Sequence, residues 1–193
     1  MLVKYPQDCN KTFLPSVTSF SHVGCFAGTN ITEFNCPRSI KSFGSRSFHK
    51  CPVLKVINLS QSPATLIETE MFYGCWSLET LILPPKTTTI LGRILGEVNL
   101  TNLVLPPTVR TVSDSFLLSR IDVVEYCGHY NLNGYFQTES NFILVDVKYP
   151  YDIFMNTRNF NRELTKCPKE RISSPAYEYM HHLLVIGRAY KRR

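Results

Sequence analysis

Apolar residues recur along this chain in short blocks at one spacing. Ile31-Thr-Glu-Phe34-Asn-Cys36, Leu54-Lys-Val-Ile57-Asn-Leu59, Leu78-Glu-Thr-Leu81-Ile-Leu83, Leu100-Thr-Asn-Leu103-Val-Leu105 and Val123-Val-Glu-Tyr126-Cys-Gly128 start at 31, 54, 78, 100 and 123, in steps of 22 to 24 residues. Each block is apolar at its first and fourth positions, and the middle three are Leu or Ile at the sixth as well. Alternation between the fourth and sixth positions predicts a short strand with every second residue facing inward. Pro37, Pro84 and Pro106 follow the sixth position directly, and Pro15 follows Leu14 one period earlier. Proline has no N–H to give to a ladder, so it ends the strand. A second apolar marker comes next, at Val17/Phe20, Ile40/Phe43, Ile67, Ile90 and Val109/Val112, and a third at Phe26, Phe48, Phe72, Leu95 and Phe116. Phe48-His-Lys-Cys51 and Phe72-Tyr-Gly-Cys75 share one ending.

One such unit cannot bury its own apolar face, so the units must stack. Stacking places equivalent strands side by side in a parallel sheet about 4.8 Å apart, and five of them span roughly 19 Å. The Phe positions then form a ladder across the core from the sheet.

The unit Leu-x-x-Leu-x-Leu-Pro-Pro-x-Val/Thr-x-x-Ile/Val followed by Phe-x-x-Cys resembles the BspA-like, or Treponema pallidum-type, leucine-rich repeat. Leu78–Ile90 and Leu100–Val112 carry the strand half; Phe48–Cys51 and Phe72–Cys75 carry the other. The resemblance covers about residues 10–128. It implies a right-handed solenoid and a role as a surface antigen or adhesin, as in bacteria and parasitic protists. The sequence departs from the family pattern in three ways. Arg46-Ser47, Glu70-Met71 and Ser113–Ser115 stand where small residues usually precede the Phe. Leu95 replaces the Phe in the fourth repeat with no Cys after it, and the asparagine ladder of longer repeats is absent.

The expected fold class is an α/β solenoid of about 23-residue units. It has a parallel sheet on one face, is mostly strand and short turn, and ends in an irregular C-terminal cap. Three regions follow: 1–128 as the solenoid with a partial first coil, 129–165 as the cap, and 166–193 as a basic tail. The cap is rich in Tyr, Phe and Asn, with a strand at Phe142-Ile-Leu-Val145 and a turn at Tyr149-Pro-Tyr151. In the tail, Ser174-Pro175 suits a helix start, with Met180, Leu183, Leu184 and Gly187 on one face; a strand at His182–Ile186 is the competing reading. A chain that begins inside a repeat needs a cap. Met1–Asp8 is short for one, so an upstream region or pairing with another chain is expected there.

Composition changes this picture little. With 44% hydrophobic and 19% charged residues in 193, the chain is globular rather than disordered. The net charge of +6 is lopsided: Lys166 to Arg193 holds seven Lys/Arg against two acids, +5, leaving about +1 for the rest. Only the tail has electrostatic attraction for phosphate, and a solvated basic end is its simpler reading, so no nucleic-acid partner is expected. Met1–Asp8 lacks the pattern of a signal peptide, and no stretch approaches the length of a membrane span. The expected place is the cell surface, or outside the cell by a route without a signal peptide, with the cytoplasm as the alternative.

Candidate chemistry is thin. Seven cysteines are present, an odd number that cannot all pair within one chain. Cys51 and Cys75 share one repeat position and read as small buried fillers. No CxxC pair exists, and Cys127-Gly-His129 alone does not make a zinc site. His22, His49, His129, His181 and His182 are scattered, and no Gly-x-Ser-x-Gly, P-loop or His-Glu-x-x-His occurs. Hence no enzyme, cofactor or metal is expected. Four glycosylation sequons, at Asn10, Asn30, Asn58 and Asn99, exceed only mildly what composition provides.

The sheet is the one ordered, extended face of such a solenoid. Its outward residues are the third and fifth of each block: Glu33, Val56, Thr80, Asn102 and Glu125 in one row, with Asn35, Asn58, Ile82, Val104 and Cys127 in the other. Amide, hydroxyl and apolar groups with two charges suit a protein partner, host or matrix proteins included, or a glycan. The expected function is a non-catalytic, protein-binding module of surface antigen or adhesin type. The alternative is an intracellular scaffold for protein–protein interaction.

Overall fold

The computed structural model describes residues 19–20, 23–113, 120–132 and 142–165. The tail helix or strand, Phe116 and the Asn10 sequon lie outside them. Twelve strands run in chain order: β1 (Ser19–Phe20), β2 (Glu33–Asn35), β3 (Ser42–Phe43), β4 (Val56–Asn58), β5 (Leu66–Ile67) and β6 (Thr80–Ile82), then β7 (Thr89–Ile90), β8 (Asn99–Leu105), β9 (Thr111–Val112), β10 (Arg120–Tyr126), β11 (Phe142–Asp146) and β12 (Asn161–Leu164). Every pairing between them is parallel. One face carries β2-β4-β6 and then β8-β10-β11-β12; a second carries β1-β3 and β5-β7-β9. The strands expected from the spaced blocks are therefore present, stacked with equivalent residues side by side.

The result is a parallel β-solenoid of about five turns. The expected α/β character finds no helix among the described residues, and none there is long and apolar enough to cross a membrane. The backbone explains why the return leg is not helical. Arg46, Glu70 and Arg93 have φ of 60°, 54° and 57°, and Lys50 and Glu97 have φ of 53° and 60°; Gly24, Gly28 and Gly74 complete the two columns. These left-handed residues flank each Phe position two residues before and two after, and a right-handed helix cannot pass through them.

Between those two columns the coils form a third ladder. Phe26 N–H donates to Ser47 O at 2.7 Å, Phe48 N–H to Met71 O at 2.9 Å and Phe72 N–H to Ile94 O at 3.0 Å. The side chains of this column fill the core. Phe26 and Phe48 stack with centroids 5.1 Å apart, Phe48 and Phe72 with 5.9 Å, and Phe34 of the sheet meets Phe48 edge-on at 4.7 Å. Leu95 continues the column, fully buried, and fully buried Ile94 stands where Ser47 and Met71 precede the Phe in earlier coils. An Ile–Leu pair thus replaces the bulk of one aromatic ring, and the coil keeps its backbone bonds.

The Phe-x-x-Cys ending also has a structural reason. Cys51 Sγ donates to Phe26 O at 3.1 Å, and Cys75 Sγ to Phe48 O at 3.0 Å, each reaching back one coil. Thr29, one coil earlier in the same column, donates its hydroxyl to Phe26 O at 2.8 Å. Small donors are needed where the chain turns away from a buried carbonyl. Within the buried pair the proton stays on Cys75, held well above the usual thiol range by its hydrogen bond to Cys51 and by burial. The same bond with Cys75 draws the Cys51 thiol below its usual range, and full burial keeps it from reagents. Burial pushes Cys36 up to about 12, against a hydrogen bond with Ser62 that lowers it. Cys36 and Cys75, held as thiols, are packing groups.

The fifth block sits two residues earlier than the spacing suggested. β10 pairs Ile121 with Leu100, Val124 with Leu103 and Tyr126 with Leu105. The inward positions are Ile121, Val124 and Tyr126, all fully buried, so the block starts at 121 and not 123. The physical cause is that Ile121-Asp-Val-Val-Glu-Tyr126 supplies apolar groups at the first, fourth and sixth positions, one more than the frame beginning at Val123. β11 then pairs Phe142 with Val123 and Val145 with Tyr126, and β12 adds a further parallel strand with a shift between Val145 and Asp146. Tyr126, Tyr149, Phe154 and Phe160 close this end as one aromatic cluster. Arg162 lies over Phe160 and donates to Tyr149 O and Tyr151 O.

Candidate binding faces

The sheet face follows from the ladder. β2, β4 and β6 set Glu33, Val56 and Thr80 in one row and Asn35, Asn58 and Ile82 in the next. Glu33, Asn35 and Thr80 are exposed; Val56, Asn58 and Ile82 are half-buried. Asn102 and Val104 continue the rows on β8, half-buried. Glu125 does not stand where it was expected. The two-residue shift puts it beside Val104 in the second row, with Val123 beside Asn102. Glu125 is fully buried and accepts from Asn102 Nδ2 at 3.3 Å. It is a structural carboxylate, so the face is covered at β10; it is open at the β2–β6 end and again at β12, whose Asn161, Arg162 and Glu163 are exposed. Cys127 falls past the strand and is buried as well.

The sequons lie differently from one another. Asn30 is exposed. The Asn58 side-chain oxygen accepts from Ser60 N–H at 3.0 Å, within the sheet face itself. Asn99 opens β8. Among the described residues no three His, Cys, Asp or Glu gather as metal ligands. Cys127 is buried, whereas His129 is exposed and reaches Asp146 at 3.6 Å.

A second constellation lies on the turns that carry the Phe column, and nothing in the sequence reading pointed to it. Tyr73 donates its hydroxyl to Glu97 Oε1 at 2.8 Å, and Trp76 Nε1 donates to Glu97 Oε2 at 3.3 Å. His49 stacks on Tyr73, centroids 5.3 Å apart and planes 15° from parallel. Glu70 sits beside them, 2.8 Å from Arg46 Nε, 3.8 Å from His49 Nδ1 and 4.0 Å from Arg93. Trp76, the only tryptophan in the chain, is 55% exposed. Gly96 lies directly under Tyr73, and a Cβ there would overlap the ring. The one advance signal was compositional: a lone Trp in a column otherwise filled by Asn30, Pro52 and Asn99.

Glu97 is pulled below its ordinary value of 4.5, first by the Tyr73 hydroxyl and then by the Trp76 N–H. A carboxylate with a lowered folded pKa adds stability above 4.5, and that contribution is lost as pH falls through the lowered value. Trp76 fluorescence is therefore expected to change on acid titration with a midpoint below 4.5. A Glu97→Gln variant should flatten the titration; an unchanged curve would show that Glu97 does not hold the indole.

Comparison with known proteins bears on the whole coil. No curated protein matches the chain. A crystal structure of a leucine-rich repeat protein from Bacteroides ovatus ATCC 8483 is similar at 13% identity and a TM-score of 0.48, over 69% of this chain and 42% of that one. This chain thus spans less than half the length of that protein. A family model, the BspA type leucine rich repeat region, matches six copies over residues 9–125. These residues, with the stacked parallel strands they form, place the chain in the BspA-type leucine-rich repeat family.

Proposed function

We propose that this protein is a non-catalytic binding module of surface antigen or adhesin type, taking a protein partner on the β2–β6 end of its sheet. Leucine-rich repeat proteins commonly bind proteins, and BspA-type members are often surface-associated. The observation that carries the reading is the pair of in-register rows. Val56 and Ile82 present half-exposed apolar surface between exposed Glu33, Asn35 and Thr80. Apolar groups set among polar ones in that way match the make-up of protein interfaces. The partner-binding set is Glu33, Asn35, Val56, Asn58, Thr80, Ile82, Asn102 and Val104. Residues 129–165 serve as the cap that covers the last coil, with β11, β12 and the aromatic cluster as its means.

The test is a photo-crosslinking amino acid at Ile82 on intact source cells, with one at Lys50 as the control. A partner crosslinked from 82 and not from 50 is expected, and Ile82→Arg should weaken its binding at least about tenfold. Equal crosslinking from both positions, or binding untouched by the substitution, would rule out the sheet. Cys36, Cys51 and Cys75 remain thiols, which favours the second reading, an intracellular scaffold in a reducing compartment. Labelling of intact cells with a membrane-impermeant biotin reagent separates the two: exposed Lys55 reacts only if the protein is outside.

A further inference from the structure

We propose that the turn-side constellation of Trp76, Tyr73, Glu97 and Gly96 is a glycan-binding site, in which a pyranose ring stacks on Trp76. This site is separate from the sheet face.

The exposed indole is not a loose surface side chain. Its N–H and the Tyr73 hydroxyl converge on the two oxygens of one carboxylate, Glu97. That fixes the ring while leaving it 55% exposed. A tryptophan held in place by polar bonds but not covered forgoes most of the burial that usually accounts for its presence. Tyr73 is fixed from its other faces, by His49 stacked on it and by the bare backbone of Gly96 beneath it. A platform with its orientation set in advance loses little freedom when a ligand lands on it.

The polar groups around the platform select the ligand. Glu97 offers carboxylate lone pairs to hydroxyls, and Arg93 and Arg46, 58% and 53% exposed, offer guanidinium donors two coils apart on either side of Glu70. Three cations (Arg46, Lys50, Arg93) face two carboxylates (Glu70, Glu97), so a cationic ligand is disfavoured. A flat apolar C–H face bounded by hydroxyls fits an aromatic ring flanked by a carboxylate and guanidinium groups, and a sugar ring has that form. The cations extend the same chemistry to sugars that carry a carboxylate.

The chain has one tryptophan, so its fluorescence reports on this spot alone. The protein is first screened on an array of neutral and acidic oligosaccharides, beside Trp76→Ala and Gly96→Ala. The sugars bound are then tested as free oligosaccharides for shielding of Trp76 from acrylamide quenching. Expected are sugars that bind wild type with half-saturation at or below about 1 mM, shield the indole, and lose at least about tenfold in affinity in both variants. Trp76→Phe should recover part of the loss. Because Trp76 is exposed, its variants should melt as wild type does. An array with no sugar lost on Trp76→Ala, or bound sugars that leave quenching unchanged, would overturn the proposal. A crosslink from position 76 to a protein rather than a sugar would reassign the platform to protein binding. Ile82→Arg should leave sugar binding intact, which keeps this result independent of the sheet-face reading.

Discussion

Phe48→Ala is expected to lower the unfolding free energy by about 3–5 kcal/mol, a large share of the roughly 5–15 kcal/mol that holds a domain folded. Phe48 is fully buried and touches three other rings, Phe26 below, Phe72 above and Phe34 across the core. Truncation removes the burial of a large side chain and leaves a void in a column that cannot collapse. The backbone on either side is tied to the next coil through the Phe48 N–H and Lys50 N–H. In a solenoid each coil is stabilised chiefly by its neighbours, so loss at a central coil also uncouples the two halves. Urea unfolding should show an earlier midpoint, and hydrogen exchange should show lost protection first around residues 24–50. Phe72→Leu should cost far less, because Leu95 already serves in this column beside Ile94. Equal losses for the two substitutions would mean that ring stacking, and not filled volume, holds the column.

Much of the coil was legible beforehand because it rests on inward-facing positions. Leu54, Ile57 and Leu59, and likewise Leu100, Leu103 and Leu105, are buried where a two-residue alternation puts them. The Phe column was legible for the same reason. The fifth block was misplaced although its signal was present: Ile121, Val124 and Tyr126 fit the pattern, but consecutive Val123 and Val124 allow two frames, and even spacing favoured the wrong one. The loop from β8 to β10 is shorter, with Asn99 paired to Arg120, so equal spacing misled. Glu125 then went to the open face in the wrong row. The left-handed columns were hidden for a different reason. Arg46, Lys50, Glu70, Arg93 and Glu97 occupy them, and glycine, the usual marker, stands at only three of the eight positions. The stacked ladder on both sides of each turn holds these residues in a conformation that their own propensities disfavour.

The sheet face and the turn platform differ in legibility on physical grounds. Sheet rows follow from periodicity, because the same position recurs in every coil. The platform joins unlike residues: His49, Tyr73 and Gly96 hold one position in three successive coils, Trp76 and Glu97 come from two others, and no residue type recurs to mark the set. Only the stacking that brings positions 21 to 24 residues apart side by side reveals it. In a solenoid, a site of unlike residues in neighbouring coils becomes visible only once the register is known.

Gly128→Ala is expected to cost about 3 kcal/mol, a large loss for one added methyl group. Tyr126 is fully buried, donates its hydroxyl to Val109 O at 2.8 Å and accepts from Tyr130 N–H at 3.3 Å. Burial holds that phenol above its usual range, so it stays a donor. A Cβ on Gly128 would overlap the Tyr126 hydroxyl and lie 2.6 Å from its Cε2. The ring cannot yield freely, because Phe154 and Tyr149 pack on it at 5.5 and 6.2 Å. Overpacking of this kind costs about 1–3 kcal/mol, and a hydroxyl forced off Val109 O leaves a buried carbonyl unpaired for about 1–3 kcal/mol more. Both terms rest on the same ring, so they overlap and do not sum in full. Tyr126→Leu alone should also destabilise, by removing the ring and its bond. The double substitution should then cost less than the two single losses added, since the methyl has no ring left to strike. Strict additivity in urea unfolding would show that Gly128 is needed for its own backbone shape and not for the room it leaves Tyr126.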